Sequence, residues 1–404
     1  MPGDVSSMTH GAEPQSWRAI FAIGTGQILG WGSAFYLIAV IAAPVAQEMG
    51  WSLTSLIAGH ALALLVAGLA SPRVGLLIER WGGRYILAFS SVLMASGHVV
   101  LALSYHVWVW YVAWVLLGLA MACGLYDAAF STLGQIFGTK ARSAITNVTL
   151  FGGLASTMCW PFTAFMMAHW GWREACLAFA VIHLFIMLPM HLIFVPKVLG
   201  DRAQLARTLD DEDVEPPYLT RSFLLLALIL AIAAAVAAIV SVHLIALLQD
   251  RGLSLATAVA TGVLFGPAQV AARILERVFG GRLHPIWTLV ISIVLTYLGL
   301  VLLGQNIEPA LVALALIFYG AGNGINSIAK GTVPLALFGP RFYARMMGRL
   351  ALPQLVAQAC APSLVALLME AKGASIALQI LEALTLINCF LIAAFVRLSG
   401  KETH

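Results

Sequence analysis

Charge is scarce in this sequence. Asp, Glu, Lys and Arg together make up 10% of its 404 residues. A soluble domain carries about 25% charged residues, so a large water-solvated surface is excluded. Cysteine is scarce too. Cys123, Cys159, Cys176, Cys360 and Cys389 lie inside apolar stretches and none forms a CxxC pair. That excludes a disulfide scaffold and a structural zinc site. The polar N-terminal tail carries Asp4 and Glu13 and lacks the basic start of a signal peptide, so the first apolar run reads as a retained helix. No GxSxG elbow, Walker-type loop or paired metal-ligand helix motif occurs. An enzyme or an ATP-driven pump is therefore not expected, and neither is a cofactor or a metal.

What is present is apolar residue, 61% of the chain, spread along its whole length. A membrane-crossing helix needs roughly 20 mostly apolar residues. The runs predict helices over 17–43, 52–78, 84–104, 107–137, 143–168, 173–195, 221–248, 254–279, 284–304, 309–338, 344–370 and 374–398. They are too long and too continuously apolar for the alternating strands of a barrel. The chain thus divides into a tail (1–16), six helices (17–195), a linker (196–220), six helices (221–398) and a short C-terminal tail (399–404). The linker holds Asp210, Asp211, Glu212, Asp213, Glu215, Pro216 and Pro217, a composition that does not build a core.

Lys and Arg are placed unevenly. With the N-terminus inside, eighteen sit at cytoplasmic helix ends, three (Arg173, Arg251, Lys372) in outer loops, and Lys330 within a helix. The positive-inside rule then puts both termini and the linker in the cytoplasm. The net charge of +4 reflects this topology and not a nucleic-acid partner. The expected surroundings are a lipid bilayer and a small-molecule substrate, with the chain working as a monomer.

The halves repeat. Phe137-Gly138 recurs as Phe338-Gly339, Cys159 as Cys360 and Pro161 as Pro362, each pair 201 residues apart. The exit of the second helix, Glu79-Arg80 then Gly82-Gly83-Arg84, recurs as Glu276-Arg277 then Gly280-Gly281-Arg282. Duplicated six-helix halves mark one large class of secondary transporters.

The segment from Gly75 through Glu79, Arg80, Gly82 and Arg84 resembles the loop between helices two and three of the major facilitator superfamily (MFS), with Glu79 in place of the more usual aspartate. The resemblance covers essentially the whole chain. It implies an all-α integral membrane fold of twelve transmembrane helices in two pseudo-symmetric six-helix bundles. It also implies that Gly75, Glu79, Arg80, Gly82, Arg84, Glu276 and Arg277 form a gating loop that latches the halves. Arg80 and Arg84 are expected to serve the conformational cycle more than substrate binding. The stretches around His243 and Val270–Arg273 are similar to the monocarboxylate and oxalate/formate branch. There the helix-eight arginine holds the substrate carboxylate, and the matching residue is Arg273. The branch's acidic partner one turn earlier is here Gln269. The alternative for Arg273 is snorkelling to the membrane interface. The run from Gly322 to Thr332 looks like bacterial relatives associated with arsenical or drug efflux, for which Cys159 and Cys360 are thiol candidates. The competing reading of a lone membrane cysteine is a small packing residue.

Intramembrane charge needs a reason. Asp127 and Lys330 lie at comparable depth in helices four and ten. Asp127 reads as a proton carrier, with a structural ion pair as the alternative and His243 and Glu276 next in line. Gln27, Trp31 and Tyr36 in helix one, and Asn323 and Asn326 in helix ten, are candidate cavity contacts. His60, His98 and His183 read as bonded core histidines. The function read here is proton-driven secondary transport by alternating access, as an antiporter exporting a toxic arsenical or drug-like compound from the cytoplasm across the inner membrane. The alternatives are transport of a small organic anion and a non-transporting membrane sensor.

Overall fold

The structure is a computed structural model, and it describes residues 13–198, 220–305 and 308–402. The tail before residue 13, most of the acidic linker and the last two residues lie outside the described residues. Among those described there are helices and turns and no strand. Helices are what a lipid-embedded chain must form, because hydrocarbon offers no partner for a free backbone N–H or C=O.

The helices are α1 (Trp17–Met49), α2 (Leu53–Trp81), α3 (Gly83–Ala102), α6 (Trp172–Phe194), α7 (Arg221–Asp250), α8 (Leu255–Phe279), α9 (Pro285–Gln305), α10 (Pro309–Phe338), α11 (Tyr343–Lys372) and α12 (Ser375–Ser399). Between α3 and α6 runs a 63-residue apolar stretch, Val107–His169. At about 1.5 Å per residue it is far too long for one crossing. A tight turn at Gly138–Lys140 divides it into α4 (Val107–Gly124 and Tyr126–Phe137) and α5 (Ala141–Gly153 and Ala155–His169). Among the described residues twelve spans result, as the sequence predicts, with ends shifted by a few residues. The largest shift is in α1, which continues to Met49 past a π turn at Trp31–Phe35.

The repeat seen in the sequence is a repeat of turns. Gly50 and Gly252 close α1 and α7 at φ 68° and 95°, and Gly138 and Gly339 close α4 and α10 at 56° and 69°. Left-handed backbone of this kind favours glycine. Two residues past the first pair, Ser52 and Ser254 cap α2 and α8, accepting from Ser55 N at 3.1 Å and Thr257 N at 3.2 Å.

Helices alternate in direction, so two ends exist. One, here the latch end, holds the α2–α3, α4–α5, α8–α9 and α10–α11 turns. The first six helices share one continuous core reaching from Ile23 and Leu37 through Trp110, Trp114, Phe130 and Phe179. The last six split theirs in two. One cluster around Leu247, Leu300 and Leu316 lies toward the far end, and another around Leu226, Leu289 and Phe395 toward the latch end. Large apolar side chains such as Phe89, Phe185, Ile193, Phe279 and Phe390 face outward, as lipid-facing surface does.

Candidate functional site

Two seams join the halves, and the repeat relates them. In the first, α2 crosses α11 at glycine. Gly75 lies against the Ala344 carbonyl and Gly348 against that of Ser71, so backbones touch where any side chain would intrude. Beside them Tyr343 packs on Gly134 and donates to the Gly331 carbonyl at 2.6 Å. Glu79 accepts from Arg345. In the second seam α5 meets α8 through polar groups. Arg142 reaches Glu276 at 3.5 Å and donates to the Gly280 carbonyl at 2.8 Å and to that of Leu283. Arg277 donates to Asn147 at 2.9 Å. Glu79 and Glu276, equivalent in the repeat, thus each take an arginine from the other half.

Of the expected gating loop, Glu79, Glu276 and Arg277 make these contacts and Gly75 makes the crossing. Gly82 turns the chain at φ 83°. Arg80 faces out, and Arg84 is half-buried with its Nε unpaired. The acids, not these two arginines, reach across. Sequence reasoning missed Arg142, Arg345, Tyr343 and Gln135 as latch residues. Gln135 stitches the α2–α3 turn to α4, accepting from Gly83 N at 3.1 Å and donating to the Ile78 carbonyl at 2.7 Å. The available signal was that Arg142 and Arg345 each follow the repeated Phe-Gly turn by a few residues.

Deeper, Lys330 Nζ lies 3.2 Å from Asp127 Oδ1 and 3.5 Å from Oδ2, each side chain 16% exposed. The ammonium also lies 5.9 Å from the Tyr126 ring. The two halves therefore neutralise one another's isolated charge, which is the ion-pair alternative. An unpaired charge at this depth is costly.

Among the described residues Arg273 has no carboxylate within salt-bridge distance. It is 6% exposed. Its Nε donates to the Gly324 carbonyl at 3.2 Å and to Ser327 Oγ at 3.1 Å, one terminal nitrogen to the Thr149 carbonyl at 3.3 Å, and the other to Gln269 Oε1 at 3.2 Å. All four acceptors are neutral. The side chain points between α10 and α5 and does not snorkel to the interface. Tyr126 packs on Gly152 and Arg273 on the adjacent Gly153 of α5, which sets the two side chains side by side.

An aromatic wall lines the α1 side. Trp31 lies 5.1 Å from Tyr126 and 6.4 Å from Tyr36, and its indole N–H is buried without a partner. Gln27 donates to the Gly124 carbonyl at 2.8 Å. That carbonyl lies beside extended Leu125, where α4 breaks, so Gln27 holds backbone. His243 donates from Nε2 to the Pro362 carbonyl at 3.0 Å, tying α7 to α11. Asn323 and Asn326 line a small cavity among α7, α9, α10 and α12 with Thr296 and Asn388, and Arg273 is not part of its lining. Cys159 packs against Gly32 and donates weakly to the Ile28 carbonyl at 3.6 Å. Cys360 packs against the core of the first half. Among the described residues no cluster of His, Cys, Asp or Glu could hold a metal ion.

Residues 23–348 match the sequence model of the Major Facilitator Superfamily. The chain belongs to that family, and it is a multi-pass membrane protein. Among solved structures, the human organic anion transporter MFSD10 (TETRAN) superposes with a TM-score of 0.75 at 14% identity, covering 93% of this chain and 99% of that one. The proton:xylose symporter XylE superposes at 0.75 and 12%, covering 95% and 96%. At such identities the likeness shows the fold alone. These solved relatives are transporters, not enzymes. Among curated proteins, human monocarboxylate transporter 11 is 29% identical over 189 residues, 45% of this chain and 37% of the relative. An uncharacterized 38 kDa protein of Thermoproteus tenax is 30% identical over 154 residues, 38% of this chain and 40% of the relative. The chain thus spans well under half the length of these curated relatives.

Proposed function

We propose that this protein is a proton-linked secondary transporter of small organic anions, and that Arg273 receives the substrate carboxylate. The observation behind this reading is the buried guanidinium whose hydrogen-bond partners are all neutral. Burying a cation among neutral acceptors leaves most of its desolvation cost uncompensated. An anion arriving beside it supplies the missing charge, and the planar guanidinium suits a carboxylate. Lys330 is already neutralised by Asp127, whereas Arg273 still has charge to offer. The similarity to a monocarboxylate transporter supports the same class. The arsenical reading has no comparable observation, since Cys159 is engaged with Gly32 and Ile28.

The two bodies that move are residues 17–195 and 221–398, about the linker 196–220. The contacts described between them gather from mid-membrane to the latch end, so this is the state closed at that end. The excess of Lys and Arg there makes it the cytoplasmic side, with both termini cytoplasmic in an inner membrane. In alternating access the Gly75–Ala344 crossing and the Glu79–Arg345 and Arg142–Glu276 pairs part, and Arg273 and Tyr126 become reachable from the other side.

The test is flux in everted vesicles and proteoliposomes with lactate, formate, oxalate, arsenite and a cationic drug, with and without a pH gradient. A carboxylate should be concentrated. Its affinity should fall roughly 100-fold in Arg273→Ala, the loss expected when a buried charge partner is removed, and less in Arg273→Lys, which keeps charge but not the fork. An anionic substrate bound equally well by Arg273→Ala defeats the assignment. Concentration of arsenite alone would return the efflux reading.

A further inference from the structure

Away from Arg273, the first half buries a set of polar side chains that the transport site does not use. Ser33 on α1, Ser91 and His98 on α3, and His183 and His191 on α6 are each at most 4% exposed. Two of the helices contribute through π turns. Ser33 lies in the α1 turn Trp31–Phe35, and His183 opens the α6 turn His183–Met187. A π turn shifts a carbonyl out of the regular helical ladder, and such turns gather at functional places.

The partners of His98 are unusual. Its Nδ1 lies 2.6 Å from the Met94 carbonyl and its Nε2 lies 3.0 Å from the Ser33 carbonyl. A carbonyl oxygen only accepts. A neutral imidazole has one N–H, so it can satisfy one of these contacts and must turn a lone pair toward the other oxygen. Only the imidazolium, with a proton on each nitrogen, makes both bonds. His183 differs, because its partner at 2.8 Å is the Ser33 hydroxyl, which can donate or accept. His191 likewise meets the Ser91 hydroxyl at 3.0 Å.

The groups facing His98 are few. From α6 come His183, stacked at 5.7 Å and 17°, and Phe179 at 5.7 Å, with His191 two turns beyond His183. From α1 comes Ser33, and from α4 Leu117 packs against neighbouring Gly97. No carboxylate forms an ion pair with His98 among the described residues. Burial therefore opposes the second proton, and two carbonyls oppose its loss. A group held between two such demands is suited to bind and release a proton.

We propose that His98 is a proton-binding site, an imidazolium held between the Met94 and Ser33 carbonyls, whose second ring proton fastens the π turn of α1 to α3. When that proton leaves for water, one contact must open. Met94 is four residues back on the same helix and cannot withdraw. The contact that opens is the one to Ser33. The turn so released carries Trp31, which stands by Tyr126, and is followed by Tyr36, which stands by Trp31. Proton occupancy at His98 thus sets the posture of the wall around the anion site. The bond to α1 is present at low pH and is lost as pH rises through the titration of His98. This coupling step rests on the transport reading above, whereas proton binding does not.

The experiment uses the full chain, labelled with ¹⁵N-histidine and reconstituted in bilayers. Ring-nitrogen NMR spectra are recorded between about pH 5 and 8, the span in which histidine ordinarily titrates. The His98→Gln variant, which keeps a donor amide but cannot titrate, identifies the signal. The expected result is a His98 signal with both nitrogens protonated at the acid end, giving way to a neutral tautomer as pH rises. One bare nitrogen throughout overturns the proposal, whatever the protein transports. In vesicles, His98→Gln should keep lactate exchange while losing at least tenfold of the accumulation driven by a pH gradient. Wild-type accumulation in that variant overturns the coupling step. Absence of lactate, formate and oxalate flux in the wild type defeats the transport reading and leaves the NMR result standing.

Discussion

The two halves run the same course and solve the same packing problem differently. At one level of the membrane the first half places His98 of α3 and His183 of α6, bonded through Ser33 of α1. The equivalent level of the second half holds Thr296 of α9 and Thr385 of α12, with Asn388 beside them. Imidazole rings fill their space and reach across helices, and the first core stays continuous. Thr296 and Thr385 bond back to their own helices at Ser292 and Leu381. Asn388 donates to the Ile229 carbonyl at 3.2 Å, and its own amide oxygen is left buried and unpaired. A small cavity remains there, and it separates the two cores of the second half. Duplication conserved the turns, where glycine and capping residues are required. The interior polar layer was free to diverge as long as each half still closed.

The seams show a second contrast, glycine contact at α2–α11 against polar bonding at α5–α8, and it predicts the largest effect. Gly75→Val inserts a side chain into the Ala344 backbone. It should cut flux at least tenfold by preventing closure, and should raise labelling of cysteines introduced at the latch end. Ala272→Val occupies the equivalent position in the polar seam and should act severalfold more weakly. Equal effects would mean that the seams do not differ as drawn.

Next in size are substitutions in the two polar layers, which should have opposite signs. His98→Ala leaves the Ser33 carbonyl unpaired and a cavity behind, and should destabilise by about 3 kcal/mol. Asn388→Leu removes an unsatisfied amide oxygen beside a void, and should be neutral or stabilise by about 1 kcal/mol. Thermal unfolding of the purified protein reads both. Loss of stability in Asn388→Leu comparable to that in His98→Ala would show that the cavity contains bonds of its own, such as ordered water.

The charge pairs come third. Glu79→Gln, at a side chain 28% exposed, should change stability by no more than about 1 kcal/mol, and Glu276→Gln, at one only 7% exposed, should cost about 2 kcal/mol. Each should speed opening at the latch end, seen as severalfold faster labelling there. The double variant should be additive within about 0.5 kcal/mol if the seams act independently. The smallest effect is expected at the thiols. Cys159→Ser and Cys360→Ser should leave carboxylate affinity within about twofold, as packing residues do; loss of arsenite transport in either would reopen the thiol reading.

What could be read from the sequence alone was local or periodic. Twelve apolar runs of spanning length made twelve helices, since the cost of bare backbone in lipid does not depend on which helix is the neighbour. The paired glycines at 138 and 339 stood out because left-handed backbone favours one residue type. Arg273 stood out as a charge where charge is scarce. The tertiary structure decided which groups meet. It set Asp127 against Lys330, 203 residues away, and gave Arg273 neutral partners in place of an acid. It carried Glu79 and Glu276 across the midline while leaving Arg80 at the surface, and it put His98 between two carbonyls when the sequence suggested only a bonded core histidine. These outcomes depend on the rotation of each helix about its axis and on where a π turn displaces a carbonyl. Both are set by packing between helices far apart in the chain, and no window of sequence contains that information.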